Sequence, residues 1–187
     1  MEITGLVLCG GRSMRMGTDK GLLLKNGKSW ARFVADKILA LNIPFKISIN
    51  PNQVNEYGVI FKDEELIVDQ VDISGPLKGI LSAHLQYPEK NWLILACDML
   101  EMDVETLQRL LKAAQEVPGN EFYVYKNEKF YEPFGGIYTA AGLQKLYELY
   151  RNNLLTNFSM QYVLNKFETY SISIKNNNTA FSNYNSL

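Results

Sequence analysis

Apolar side chains recur along this chain in two rhythms, short unbroken runs and helical stripes. Ile3-Thr4-Gly5-Leu6-Val7-Leu8-Cys9 is an apolar run that ends abruptly at Gly10-Gly11, the pattern of a buried parallel strand feeding a loop. After a polar stretch, Ser29 stands where a helix cap belongs, and Trp30, Phe33, Val34, Ile38 and Leu41 follow at helical spacing. Phe45 to Asn50 alternates apolar with polar, Leu66-Ile67-Val68 forms a short strand signal, and Trp92-Leu93-Ile94-Leu95-Ala96-Cys97 is a second buried run, closed by Asp98. Pro76 opens a helix with Leu77, Ile80, Leu81 and Leu85 on about one face. Asp103 caps another through Leu107, Leu110, Leu111 and Ala114, and Thr139 begins a third through Leu143, Leu146, Tyr147 and Tyr150. Between these helices, 122–125 and 134–138 read as strands, whereas the polar, Asn-rich tail from Ser171 reads as a loop or frayed end. Strands alternating with helices predict an α/β fold: a mostly parallel central sheet covered on both faces, in three layers.

Composition narrows this picture. At 187 residues, with 47% hydrophobic and 21% charged side chains, the chain is expected to form one domain over 1–187 and not a disordered or coiled-coil protein. Nineteen basic against twenty acidic residues leave no global positive field for nucleic acid. The first 50 residues nevertheless carry eight basic and three acidic side chains, so a local anion site near the N-terminus is compatible with the balance. Cys9 and Cys97 each sit inside an apolar run and read as reduced, buried thiols. No apolar stretch approaches the ~20 residues of a membrane span. The opening Met-Glu-Ile-Thr lacks the features of a signal peptide, and a cytoplasmic location is the expectation.

The stretch after the first run, Leu8 to Lys20, carries the most chemistry. It matches neither the dinucleotide G-x-G-x-x-G fingerprint nor the G-x-x-x-x-G-K-[ST] phosphate loop. Its glycines still allow close backbone approach to a ligand, and Arg12, Arg15 and Lys20 can neutralise phosphates. On composition alone it reads equally as a solvated connection. Asp98, likewise, is either a metal-binding carboxylate beyond a buried strand or an ordinary turn acid before a helix. The single histidine, His84, lies within the Pro76 helix and is expected to be packed or surface-exposed, not catalytic. Asp69 and Asp72 belong to an acidic stretch with Glu56, Asp63, Glu64 and Glu65, most of which is expected to be a solvated face, and the aromatics beyond 122 are expected to be core and sheet face.

The pattern Leu8-Cys9-Gly10-Gly11 with Arg15-Met16-Gly17-Thr18-Asp19-Lys20 resembles the signature of nucleotidyltransferases similar to the molybdenum cofactor guanylyltransferases, within a wider family of sugar-phosphate and cofactor nucleotidyltransferases. Further blocks follow in the same order: Asp69, then Gly75-Pro76-Leu77-Lys78-Gly79-Ile80, Cys97-Asp98-Met99, Pro133-Phe134-Gly135-Gly136-Ile137-Tyr138 and Phe181-Ser182-Asn183-Tyr184-Asn185. The resemblance spans essentially the whole chain and implies the Rossmann-like fold of nucleotide-diphospho-sugar transferases. It implies that Leu8, Cys9, Gly10, Gly11, Lys20, Asn50, Asp69, Gly79 and Asp98 bind the nucleotide. Asp98 would also hold Mg²⁺; Arg15 and Lys20 would handle phosphate charge, and Asn183 and Asn185 would meet the acceptor. The half up to residue 100 would mainly bind nucleotide, and 101–187 mainly acceptor. Three departures stand out: Cys9 replaces the usual Ala, Ser48 stands where many relatives have Asn, and the Thr-Pro-Glu and closing helix usual in the family are missing before Leu187.

The activity so implied is transfer of GMP from GTP to the phosphate of a molybdopterin-type cofactor, releasing pyrophosphate. An acceptor phosphate is already ionised at neutral pH and needs no general base. Gly11 points to guanine, since the cytidylyl branch tends to have Ala in that block. CTP or a sugar 1-phosphate as partner, and a nucleotide-binding protein without catalysis, are the competing readings.

Overall fold

The structure is a computed structural model in which residues 1–10, 19–174 and 179–181 are described. Six strands carry the readings above: β1 (Ile3–Leu8), β4 (Phe45–Ile49), β5 (Leu66–Val68), β6 (Asn91–Ala96), β7 (Phe122–Lys126) and β8 (Tyr131–Tyr138). Four helices do the same: α1 (Trp30–Leu39), α3 (Leu77–Gln86), α4 (Val104–Glu116) and α5 (Ala140–Arg151). Three of the expected caps form as read. The Ser29 Oγ accepts from Arg32 N, the Asp103 carboxylate from Thr106 N and Thr139 Oγ1 from Gly142 N, each satisfying a backbone donor that a helix leaves unpaired.

Several elements were not anticipated. A small hairpin, β2 (Leu24–Lys25) and β3 (Lys28–Ser29), precedes α1, and the single-turn helix α2 (Val54–Tyr57) follows β4. Near the end come α6 (Met160–Lys166) and β9 (Thr169–Ser173). The last corrects the reading of the tail: Ser171 to Ser173 belong to a strand that pairs in parallel with β7, because an edge strand takes its hydrogen bonds from a neighbour that local sequence does not reveal.

The seven-stranded sheet runs β5-β4-β1-β6-β8-β7-β9. Its pairs β1/β4, β4/β5, β1/β6 and β7/β9 are parallel, while β8 runs antiparallel to both β6 and β7, so the sheet is mostly parallel as expected. Alternate strand residues divide between two cores, as a pleat requires. Val7, Ile47, Leu93, Leu95 and Tyr125 pack with α1 and α4; Leu6, Ile67, Trp92, Ile94 and Phe122 pack on the other face with α3, α5 and α6. One helix is rotated from its expected phase. Leu77, Ile80, Leu81 and His84 of α3 are buried, whereas Leu85 is 40% exposed. His84 takes the inward position because Gln144 of α5 lies 3.1 Å from its Nε2. No helix among the described residues is long and apolar enough to cross a membrane.

The strand order positions the site. From β1 the chain steps outward to β4 and β5, then returns through α3 to lay β6 on the opposite side of β1. The loops leaving β1 and β6 therefore diverge at a reversal of strand order, where open α/β sheets leave a crevice for ligands.

Candidate functional site

Lys20 and Asp98, 78 residues apart, meet across that crevice. Lys20 opens a 3₁₀ turn (Lys20–Leu22) as the chain re-enters after β1, and Asp98 stands two residues beyond the end of β6. Their Nζ and Oδ2 lie 3.1 Å apart, both side chains about one-fifth exposed. An ammonium and a carboxylate, each within reach of solvent, suit a site where phosphates and a cation must enter and leave.

The turn that carries Lys20 is anchored by Asp19. Its carboxylate accepts from Gly21 N at 2.9 Å, from the Tyr57 hydroxyl at 3.1 Å and from the Gln53 amide. The same amide of Gln53 also donates to the carbonyl of Cys9 at 3.2 Å, so one side chain ties the end of β1 to the point where the chain returns. Gly21 fits against this cluster only because it has no side chain: a Cβ there would sit 2.0 Å from the Tyr57 oxygen. Burial pushes the Tyr57 hydroxyl far above its ordinary range, so it serves as a neutral donor. Beneath lie Cys9 and Cys97, buried and free as expected. The Cys9 thiol is pushed up first by burial and then by the adjacent Cys97 thiol, which marks it as inert packing.

The loop after β6 is held from below. Lys37 of α1 donates to the carbonyls of Leu100 and Met102, each at 2.6 Å, and Lys25 pairs with Glu101 at 2.9 Å. Burial lowers the Lys37 ammonium pKa, with Glu101 opposing that shift.

The ends of β1, β4 and β5 and the first turn of α3 meet around Asp69 and Ser48. Asp69, just past β5, is buried, and its Oδ1 accepts from the Ser48 hydroxyl at 2.9 Å. A Cβ on Gly10 would lie 2.6 Å from Asp69 Oδ2, and one on Gly79 would lie 2.2 Å from Ser48 Oγ and 3.1 Å from Leu8 Cδ2. Burial raises the Asp69 carboxyl, while the Ser48 hydrogen bond and the charge of Lys78 pull it back. The loop behind it is pinned because Gln70 N and Val71 N both donate to Ser82 Oγ of α3.

Of the residues read from sequence, Leu8, Cys9, Gly10, Lys20, Asp69, Gly79 and Asp98 gather at this end of the sheet. Asn50 is there too, but its side chain is committed locally: its Oδ1 accepts from Asn52 N, which caps the 3₁₀ turn Pro51–Gln53. Gly11, Arg15, Asn183 and Asn185 lie outside the described residues. The chain segment before the last two, Thr179–Phe181, does return to the core, where Phe181 packs on Tyr125 with ring centres 5.0 Å apart. Asp63, Glu64 and Asp72 are exposed, as expected for a solvated acidic face, and Asp69 alone of that stretch is buried. Sequence reading passed over Asp19, Lys37, Gln53 and Tyr57; Asp19 alone had a signal, its place in the Gly-x-Asp-Lys block. A separate cavity of about 470 Å³, lined by Lys145, Leu149, Lys166 and Phe167 among others, lies near the opposite end of the sheet.

The family model for the MobA-like NTP transferase domain matches residues 5–164. The chain belongs to that family. It is a family of nucleotidyltransferases, and the relatives of this MobA-like chain bear that out. It is 33% identical over 138 residues to a probable molybdenum cofactor guanylyltransferase of Flavobacterium johnsoniae, covering 73% of this chain and 68% of that one. It is 29% identical to a counterpart with the same description in Methanocaldococcus jannaschii, covering 87% and 82%. A molybdenum cofactor biosynthesis bifunctional protein of Synechocystis is 33% identical over 75% of this chain, which spans only 40% of its length. Among solved structures, the molybdopterin-guanine dinucleotide biosynthesis protein A of Archaeoglobus fulgidus superposes with a TM-score of 0.70 at 20% identity, covering 91% of this chain and 83% of that one. That likeness establishes the nucleotide-diphospho-sugar transferase fold expected from the sequence.

Proposed function

We propose that this MobA-like chain transfers GMP from GTP to the phosphate of a molybdopterin-type cofactor, releasing pyrophosphate. The observation that carries the reading is the Lys20–Asp98 pair at the strand-order reversal, a cation and a carboxylate on the two loops that flank the crevice. In this reading Lys20, with Arg15, neutralises the charge that builds on the departing pyrophosphate. In this reading the base lies beside Leu8, Gly10 and Gly79. Asp69 Oδ2 is an acceptor there and suits guanine, whose N1–H and 2-amino groups are adjacent donors. Cytosine and adenine instead place a ring acceptor beside their amino group.

Asp98 is also the residue that would hold Mg²⁺. Mg²⁺ takes one or two carboxylates and completes its shell with phosphate oxygens and water, so a single aspartate on this loop suits it. Bound there, the ion would supply charge neutralisation on the phosphates. The acceptor's phosphate oxygen attacks the α-phosphorus as the bond to pyrophosphate breaks. Because that oxygen is already ionised, the chain need only align the reactants. His84 of α3 agrees with this, being buried beside Gln144 of α5, with its pKa lowered by that burial. The proposal includes the division of labour at about residue 100, acceptor binding by Asn183 and Asn185, and a cytoplasmic setting in keeping with two free buried cysteines.

The test is pyrophosphate release from GTP with molybdopterin and Mg²⁺. Lys20→Ala and Asp98→Ala are each expected to cut turnover by about a hundredfold or more, the scale of losing one preorganised electrostatic contact to a transition state. Turnover by either variant at the unmodified rate would refute the assigned roles; turnover with CTP in place of GTP would refute the base assignment.

A further inference from the structure

We propose that Ser48 sets the nucleobase preference of this site by fixing the direction in which Asp69 presents its second carboxylate oxygen. The inference rests on the GTP reading above and assigns a task to a residue outside the nucleotide contacts named there. Ser48 is 1% exposed, in β4, and its hydroxyl proton goes to Asp69 Oδ1. The hydroxyl lies where Gly79, at the start of α3, has no side chain: a Cβ there would come within 2.2 Å of it. With Oδ1 engaged, the carboxylate cannot turn about its last bond without breaking a buried hydrogen bond. Oδ2 is thereby held toward Gly10, and among the described residues it receives no hydrogen bond.

An acceptor fixed in direction selects its ligand by the donors it offers. Two changes would follow from removing the hydroxyl. The carboxylate would gain rotational freedom, and it would lose the hydrogen bond that favours its charged form against burial, leaving Lys78 as the remaining support for that form. A protonated carboxyl presents a donor as readily as an acceptor, and a rotated carboxylate no longer aims its acceptor in one direction; either way it stops discriminating between bases. Ser48 is thus a positioning residue that acts through Asp69 and does not itself touch the nucleotide.

The experiment is calorimetric titration of the purified protein with GTP, ITP and CTP in the presence of Mg²⁺, ITP differing from GTP only by the missing 2-amino group. The unmodified chain is expected to bind GTP more tightly than either of the others. Ser48→Ala should reduce the GTP-over-ITP ratio by about tenfold, the scale of one hydrogen bond to a charged group. Ser48→Thr, which keeps the hydroxyl, should hold the ratio. Ser48→Cys, nearly the same volume with a weak donor, should behave like the alanine variant and decides the matter if the latter does not fold. A ratio unchanged in the Ala or Cys variant, or equal loss of GTP and ITP affinity, overturns the role of Ser48 alone. An unmodified chain that does not prefer GTP to CTP overturns the GTP reading and this inference together.

Discussion

Gly79→Ala adds one methyl group where α3 meets β4, and the structure gives the consequence. The new carbon would lie 2.2 Å from Ser48 Oγ, 3.3 Å from Ser48 Cβ and 3.1 Å from Leu8 Cδ2. Serine is too short to retreat, and turning its hydroxyl away breaks the bond to Asp69. Losing a buried hydrogen bond to a charged group costs about 1.5 to 3 kcal/mol, and crowding a packed site costs about 1 to 3 kcal/mol. Against this, alanine is about 1 kcal/mol better than glycine inside a helix. The terms overlap, because the side chain either yields or stays, and the net expectation is a loss of about 1 to 3 kcal/mol. For a chain of this size each kcal/mol lowers the thermal midpoint by about 2 to 4 °C, so the drop should be roughly 2 to 12 °C. Differential scanning calorimetry measures it, and GTP titration of the same sample should show weakened binding. A midpoint that rises, with GTP affinity intact, would mean that helix propensity outweighs the contact and that the packing around Ser48 is not as close as described.

Two further outcomes follow from buried groups. Lys37→Met keeps much of the lysine stem but strands the carbonyls of Leu100 and Met102. The loop behind Asp98 should loosen, the midpoint should fall by several degrees for a loss of about 1 to 3 kcal/mol, and kcat should drop more than the KM for GTP rises; unmodified kcat and midpoint would show that Lys37 is not a latch. His84, whose pKa burial lowers from 6.5, binds its proton less readily in the fold than in the unfolded chain. Stability should therefore be full above about 6.5 and decline as pH falls through the window beneath it. His84→Gln should flatten that slope in denaturation midpoints taken from pH 5 to 7 while leaving turnover unchanged. A slope that persists would place its origin in other groups.

The β1, β6 and α4 elements were legible because their signals are local: an unbroken apolar run bounded by Gly10 or Asp98, or a cap three residues before the amide it serves. The phase of α3 was not, since Leu85 outranks His84 in hydrophobicity and the histidine's inward partners, Gln144 and Tyr147 of α5, lie 60 or more residues away. β9 failed for a related reason. Its residues are mostly half-buried, and what makes them a strand is β7 alongside. The site divides in the same way. Lys20 and Asp98 were picked out by motif, whereas Ser48 appeared only as a departure from one. Its meaning lies in three residues, Asp69, Gly79 and Leu8, that chain order scatters.

The two halves of the site differ in their exposure to solvent, and that difference matches the work proposed for each. The Lys20–Asp98 pair, with both members about one-fifth exposed, keeps contact with solvent. Phosphates and a cation can reach either partner. The Ser48–Asp69 bond is buried, and breaking it leaves a polar group unsatisfied at about 1 to 3 kcal/mol. Phosphate binding repeats in every nucleoside triphosphate and rewards ready exchange; choosing one base rewards an acceptor that cannot adapt. Between them, Gln53 bonds to both the Cys9 carbonyl and Asp19, so the fixed and the exchangeable halves share one frame. A substitution at Gln53 would therefore disturb base and phosphate binding together, whereas one at Lys20 or Ser48 would disturb only one of them.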